Sequence, residues 1–268
     1  MSENLSDSES KKRFSSRVAY YVKHRPDYPD AVLDWLPEAA GFTSDTVVAD
    51  VGSGTGLLAE LFLKNGCLVY GVEPNADMRA AGEEYLRRYP NFRSIDGAAE
   101  ETTLAAGSVD LISVGQAFHW FDAEGARSEF ARILRPDGWV MLAWNSPRTD
   151  ATPFMRAYKA MRDHVPVNPA HPRPPDAGTA PKPDRKSVLY GWAGFEKRSF
   201  ENQQEFDWEG LRGRILSESG APLPGDPRHP AMMAELEEAF RAHQESGRVI
   251  FLYDTELYLG RVARDHFA

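Results

Sequence analysis

The residues of this chain best suited to chemistry gather at one glycine-rich turn. Val47-Val48-Ala49-Asp50-Val51 is a short apolar run that leads into Gly52-Ser53-Gly54-Thr55-Gly56. Glycines at alternate positions lack Cβ atoms, so the backbone can take positive φ and a ligand can lie directly against it. A turn between a strand and a helix falls at the carboxyl edge of a parallel sheet, where nucleotides bind. A phosphate-cradling loop needs Gly-Lys-Ser/Thr, but Gly56 is followed by Leu57. A dinucleotide turn wants a further glycine three positions past the second, and that position is again Leu57. Glu73 ends the next apolar run, Val69-Tyr70-Gly71-Val72, roughly 20 residues past the first glycine. A carboxylate there can accept from both hydroxyls of a ribose. The alternative is that Gly52 to Gly56 is only a tight strand-to-helix turn.

The elements around the turn alternate. Strands are expected at 46–51, 68–72, 92–95, 109–114 and 139–144, with helices at 57–65, 75–88 and from Asp122 through Leu134. Gly66 stops the first of these helices, while Asn75 and Asp122 can cap the other two. Pro136-Asp137-Gly138 reads as the turn into the fifth strand. Strands separated by helices imply a Rossmann-like, doubly wound, mostly parallel α/β sheet with right-handed crossovers. Ahead of it, Phe14, Val18, Tyr21 and Val22 recur at helical spacing. Arg25-Pro26-Asp27-Tyr28-Pro29 breaks that helix, and a second runs from about Ala31 to Ala40. Residues 14–40 are read as a helical lid, and residues 1–13 as a polar, disordered tail. Beyond the fifth strand come a helix over 153–164, a proline-rich loop at 165–186, a strand at 196–200 and helices at 208–217 and 230–244. A final strand at 248–259 would join the sheet antiparallel. One domain from 14 to 268 is expected, with 152–247 as its substrate region.

Composition narrows the partners. The 268 residues are 42% hydrophobic, enough for a large core, and the net charge of −9 disfavours nucleic acid as a partner. One cysteine, Cys67, permits no intrachain disulfide, and no apolar run is long enough to span a membrane. The N-terminus lacks the pattern of a secretory signal. A cytoplasmic protein is expected. No Ser/His/Asp or Cys/His constellation stands out, and the seven histidines form no His-x-x-x-His pair, so no metal is expected.

Five segments together resemble class I S-adenosylmethionine-dependent methyltransferases of the type 11 group, near the trans-aconitate-methyltransferase-like branch. They are Tyr21 with Arg25-Pro26-Asp27-Tyr28-Pro29, Asp50 to Gly56, Gly97-Ala98-Ala99-Glu100, Gly115-Gln116-Ala117-Phe118-His119-Trp120-Phe121-Asp122, and Leu134-Arg135-Pro136-Asp137-Gly138. The resemblance implies that S-adenosylmethionine is the cofactor. Gly52 and Gly54 would face its amino-acid end, with Asp50 supporting the loop and the ammonium. Glu73 would hold the ribose. Pro74, Ala98, Ala99 and Glu100 would surround the adenine, and Gln116 would line the floor beside the methionine part. Tyr21 and Arg25 would be further cofactor-side residues. Many relatives carry an aspartate at the position of Ala98, so adenine recognition here would fall to backbone near Ala99 or to Glu100. Gln116 could instead cap a strand end, Tyr21 could be core, and Arg25 could pair with a surface acid.

Transfer from a sulfonium needs in-line placement and exclusion of water more than a protein nucleophile. His119 is the candidate catalytic residue. It would act as a base towards a hydroxyl or amine, or orient an acceptor that is already ionised. Phe118, Trp120 and Trp144 are candidate walls for a small-molecule acceptor methylated on oxygen, although aromatic residues of this kind are also ordinary core. A tRNA or protein methyltransferase and a non-catalytic cofactor-binding module are the competing readings.

Overall fold

The computed structural model describes residues 18–165, 185–191, 194–218 and 220–263, without the side chains of Val18, Ala19 and Tyr21. The expected tail at 1–13, the start of the first helix and most of the proline-rich loop lie outside the described residues.

Among the described residues, seven strands form one sheet in the order β3-β2-β1-β4-β5-β7-β6. They are β1 (Val47–Val51), β2 (Leu68–Val72), β3 (Phe92–Ile95), β4 (Val109–Gly115), β5 (Leu134–Pro147), β6 (Phe195–Phe206) and β7 (Val249–Gly260). Strands β1 to β5 pair in parallel, and the sheet is completed by an antiparallel C-terminal strand. The helices are α1 (Val18–His24), α2 (Ala31–Ala40), α3 (Leu57–Lys64), α4 (Ala76–Leu86), α5 (Ala123–Ile133), α6 (Pro153–His164), α7 (Arg185–Tyr190), α8 (Trp208–Leu216) and α9 (His229–His243). This is the Rossmann-like class expected from the alternation of strand and helix patterns. No helix among the described residues is long and apolar enough to cross a membrane.

The chain groups into two compact units. Unit 1 comprises 1–26, 145–178 and 201–254; unit 2 comprises 27–144, 179–200 and 255–268. Helix α1 falls in unit 1 and α2 in unit 2.

Unit 2 is built on β1 to β4, whose apolar side chains face helices on both sides. Val48, Leu58, Phe62, Val69 and Met141 belong to one core cluster, and Val51, Val72, Ile112, Val114 and Phe130 to the other. Strands covered on both faces read as continuous apolar runs, which is why β1 and β4 were conspicuous in the sequence. Helix starts follow their caps. Asn75 accepts from the backbone N–H of Asp77 and Met78, and Asp122 from that of Gly125.

Three expectations need correction. Leu134 to Gly138, read as a turn, lies inside β5. Val109 aligns with Leu134 but Leu111 with Trp139, so Arg135 to Gly138 bulge out of a strand that resumes its register. The strand expected at 196–200 runs on to Phe206. Its solvent-exposed residues gave no apolar alternation to mark its length. Helix α7 falls at the end of the stretch read as an extended loop.

Unit 1 has its own core of Phe154, Met155, Tyr158, Leu211, Ile215, Leu236, Phe251 and Tyr253. The end of α1 packs against α8, with His24 lying against Gly213. Gln204 Nε2 donates to His24 O at 3.3 Å.

Candidate functional site

The turn after β1 departs from ordinary backbone in the way its glycines allow. Gly52, Gly54 and Gly56 have φ of +68°, +56° and +86°, values that L-residues with a Cβ rarely adopt. At Gly52 a Cβ would also stand 2.7 Å from the Ala117 Cβ. Gly82 lets α4 approach the turn, because a Cβ there would lie 3.1 Å from Gly54 O.

Two carboxylates organise the turn. Glu73, just past β2, accepts from Gly54 N–H at 2.9 Å through Oε2 and from Asn75 N–H at 2.8 Å through Oε1. It thus fixes both the glycine turn and the start of α4. A carboxylate oxygen can accept more than one hydrogen bond. Asp50, 1% exposed, accepts from Ser113 Oγ at 2.8 Å through Oδ1. Its Oδ2 is buried and meets no donor, as does the buried Thr55 Oγ1 on the same turn. Burial pushes the Asp50 carboxyl up to about 7, with the charge of Glu73 adding to the rise and the Ser113 hydrogen bond opposing it.

These observations test the fit of the cofactor the sequence suggested. An orphaned carboxylate oxygen beside a turn stripped of Cβ atoms suits a ligand that brings a cationic donor, and Glu73 suits one that brings hydroxyls. The residues present fit S-adenosylmethionine.

The remaining candidates of unit 2 fall around the ends of its strands. Gln116 follows β4 with a φ of +58°, one of three non-glycine residues at positive φ among the described residues, and donates its N–H to Ala143 O. Such strain is held only where the surroundings enforce it, and it gathers at functional sites. Pro74 is half-buried beside Glu73. Ala98 and Glu101 close a tight turn on each other, with Ala99 buried inside it. Glu100 is exposed, and its Oε1 accepts from Asp122 N–H at 2.7 Å. That carboxylate therefore already helps to start α5. Phe118, His119 and Trp120 form a 3-10 turn after β4. The Phe118 ring is buried in the core, edge-on to Phe121, whereas Trp120 is exposed and lies 4.8 Å from the His119 ring. Trp144 is half-buried at the end of unit 2's part of β5, edge-on to Tyr258.

Tyr21 and Arg25 lie in unit 1. Tyr21 is on α1, and Arg25 donates from Nη2 to Ser217 O at 2.8 Å. Sequence reasoning missed Ser113 and Thr55. Ser113 had a signal, a polar residue in the otherwise apolar end of β4. Thr55 had none, since a threonine in a glycine turn is unremarked by type. No group of three or more His, Cys, Asp or Glu residues suited to a metal ion stands among the described residues.

Residues 49–142 match the family described as a methyltransferase domain. An uncharacterised methyltransferase of Mycobacterium bovis is 39% identical over 133 residues, 50% of this chain and 52% of that protein. One from Schizosaccharomyces pombe is 26% identical over 85% of this chain and 87% of its own length. The chain spans about half the length of the first of these curated relatives. Among solved structures, one described as a type II methyltransferase from Anaeromyxobacter dehalogenans superposes with a TM-score of 0.67 at 21% identity. It covers 88% of this chain and 97% of its own. Over residues 49–142 the chain is therefore similar to methyltransferase domains, and its fold is that of the solved structure.

Proposed function

We propose that this chain transfers a methyl group from S-adenosylmethionine to an oxygen of a small-molecule acceptor. The observation that carries the reading is Asp50, a buried carboxylate with an empty oxygen at the base of a turn held at positive φ. When bound, the cofactor supplies a methyl group activated by its sulfonium. The chain's own task is to bind, orient and keep water out. Backbone at Gly52 and Gly54 receives the amino-acid end, and Asp50 balances its ammonium. Glu73 accepts from the ribose hydroxyls while continuing to hold Gly54 and Asn75. Pro74, Ala98, Ala99 and Glu100 flank the adenine, and Gln116 borders the methionine part.

Trp120 and Trp144, both partly open to solvent, are the better candidates for acceptor walls; Phe118 supports them from the core. The net charge of −9 supports a small molecule over nucleic acid. The test is a labelled-methyl screen against organic acids, phenols and amines, with tRNA and protein as parallel arms. Label on an oxygen of a small acid or phenol is the expected result. Label confined to tRNA or protein sinks the small-molecule reading. His119 then separates the two oxygen types. With a hydroxyl acceptor, His119→Ala should lower kcat about 10²-fold, the scale of a lost general base. With a carboxylate acceptor no proton is removed, so the same change should chiefly raise KM.

A further inference from the structure

The adenine end of the proposed cofactor site is a loop, residues 96–104, that follows β3. Ala98 and Glu101 exchange N–H···O bonds of 3.1 and 3.2 Å, so 98–101 is a closed turn. Gly97 lies directly against Thr102, since a Cβ there would stand 2.9 Å from Thr102 O. The two stems of the turn therefore touch, and moving Thr102 moves the turn as one piece. Thr103, the next residue, is held at a φ of +64°. A β-branched residue in the left-handed region persists only where its surroundings enforce it.

The enforcement comes from α5. Glu129, 8% exposed, accepts from Thr102 N–H at 2.8 Å and from Thr102 Oγ1 at 2.5 Å, both through Oε1. Arg132, on the following turn of the helix, donates to both Glu129 oxygens at 2.7 Å and from Nη2 to Leu104 O at 2.8 Å. One ion pair thus grips the chain on either side of Thr103. Thr102 is fully buried, so its two donors have no water to fall back on. Burial alone would raise the Glu129 carboxyl, but hydrogen bonds from Arg132 and Thr102 outweigh it and bring it down to about 2. The group stays ionised through the neutral range, and its grip does not switch with pH.

Two other contacts on the loop are weaker. Arg79 reaches Asp96 at 3.0 Å, but that aspartate is 73% exposed, and such pairs contribute little. Glu100 accepts from Asp122 N–H at an exposed position, and losing that bond leaves 102–104 gripped. Burying an ionised carboxylate is costly, and apolar packing could fasten helix to loop equally well. What packing cannot do is fix a single residue by its N–H and its hydroxyl at set distances.

We propose that Glu129 is a positioning residue for the adenine of the cofactor, setting the Ala98–Glu101 turn through Thr102. This role rests on the S-adenosylmethionine reading above and extends it to a residue outside the glycine turn.

The test is calorimetry of the full chain with S-adenosylhomocysteine and with S-inosylhomocysteine, which differs only in the purine. The parent should prefer the adenosyl ligand. E129Q turns an acceptor into a donor beside the Thr102 donors. It should weaken the adenosyl ligand by about tenfold, the scale of a lost hydrogen bond, and the inosyl ligand by less. The preference for adenine therefore narrows. T102V loses the hydroxyl alone and should weaken the adenosyl ligand by about threefold, while T102S keeps both donors and should bind like the parent. These two variants carry the test even if E129Q folds poorly. A Glu129 that only stabilises the fold would lower the melting temperature and leave the adenosyl-to-inosyl ratio where it was. An unchanged ratio in folded E129Q or in T102V, or T102S binding as weakly as T102V, overturns the role. A parent that binds neither ligand fails the cofactor reading, and the role with it. A parent that binds S-adenosylhomocysteine no better than its variants fails Glu129 alone.

Discussion

The glycine turn of unit 2 and the cluster around Arg214 and Glu218 in unit 1 both bury charge, and they differ in what is left over. At the turn the buried group is an acid with one side-chain donor, Ser113, and one oxygen without a side-chain partner. In the cluster the acid, Glu218, accepts from Tyr158 and Arg214 through one oxygen and pairs with Arg162 through the other, so its charge is met by side chains of the chain itself. One region is short of a donor, whereas the other answers its buried acid from within the chain. A buried group that its own chain leaves unsatisfied is informative about ligand sign, because the missing partner must come from outside or the group must neutralise. Asp50 takes the second course while alone, which is what its rise to about 7 expresses.

The largest effect should come from Glu73, which serves the turn from inside. Removing its carboxylate frees the N–H groups of Gly54 and Asn75 together with the acceptors proposed for ribose. Glu73→Ala should therefore weaken S-adenosylmethionine binding by about 100-fold, or roughly 3 kcal/mol. Glu73→Gln keeps one carbonyl acceptor and should fall between. Calorimetry that finds the alanine variant binding like the parent takes Glu73 out of the site.

Next in size is the pH response of Asp50. If its ionised form meets the cofactor ammonium, affinity should rise about tenfold from pH 6 to pH 8, as the group titrates near 7. Asp50→Asn should flatten that profile and bind weakly throughout. Stability without ligand should move the other way. Asp50 holds its proton more tightly folded than unfolded, so the folded chain binds more protons between about pH 4 and 7. Its contribution to stability falls as pH rises through that window and levels off above it. Asp50→Asn carries no such slope, so its melting temperature at pH 8 should match or exceed the parent's. A parent whose affinity is the same at pH 6 and pH 8 would break the contrast on the acidic side.

The two regions were not equally legible in the sequence. The turn is local: Asp50, three glycines and Glu73 lie within one strand-helix-strand unit, so spacing alone brings them together. Caps were readable for the same reason, as Asn75 and Asp122 act on donors two or three residues ahead. The cluster is assembled from α6, α8, β6 and β7. Only the Arg214–Glu218 pair, four residues apart, left a trace, and Tyr158, Gln204 and Tyr253 join it through folding alone. The bulge in β5 was hidden because Pro136-Asp137-Gly138 has the chemistry of a turn whether or not a strand continues beyond it. Glu100 could be named as exposed and acidic, but its bond to Asp122 N–H depends on a loop packing that no spacing records.

The smallest expected effect separates the two regions by how many donors each acid can lose. Tyr158→Phe removes one donor from Glu218, yet Arg214 and Arg162 still hold that carboxylate. The cost should be about 1 kcal/mol, a fall of roughly 2–4 °C in melting temperature for a chain of this size, with no new pH dependence. Ser113→Ala removes the one side-chain donor to Asp50. Its static cost should be similar, but the ionised acid loses the bond that favoured it, so its titration should move above about 7. The midpoint of cofactor affinity against pH should shift upward with it, while affinity at pH 9 changes little. Calorimetry across pH for the two variants decides the matter. A Ser113→Ala profile superposing on that of the parent would mean that Asp50 is held by something other than the hydroxyl, and the contrast between a starved acid and a saturated one would lose its acidic half.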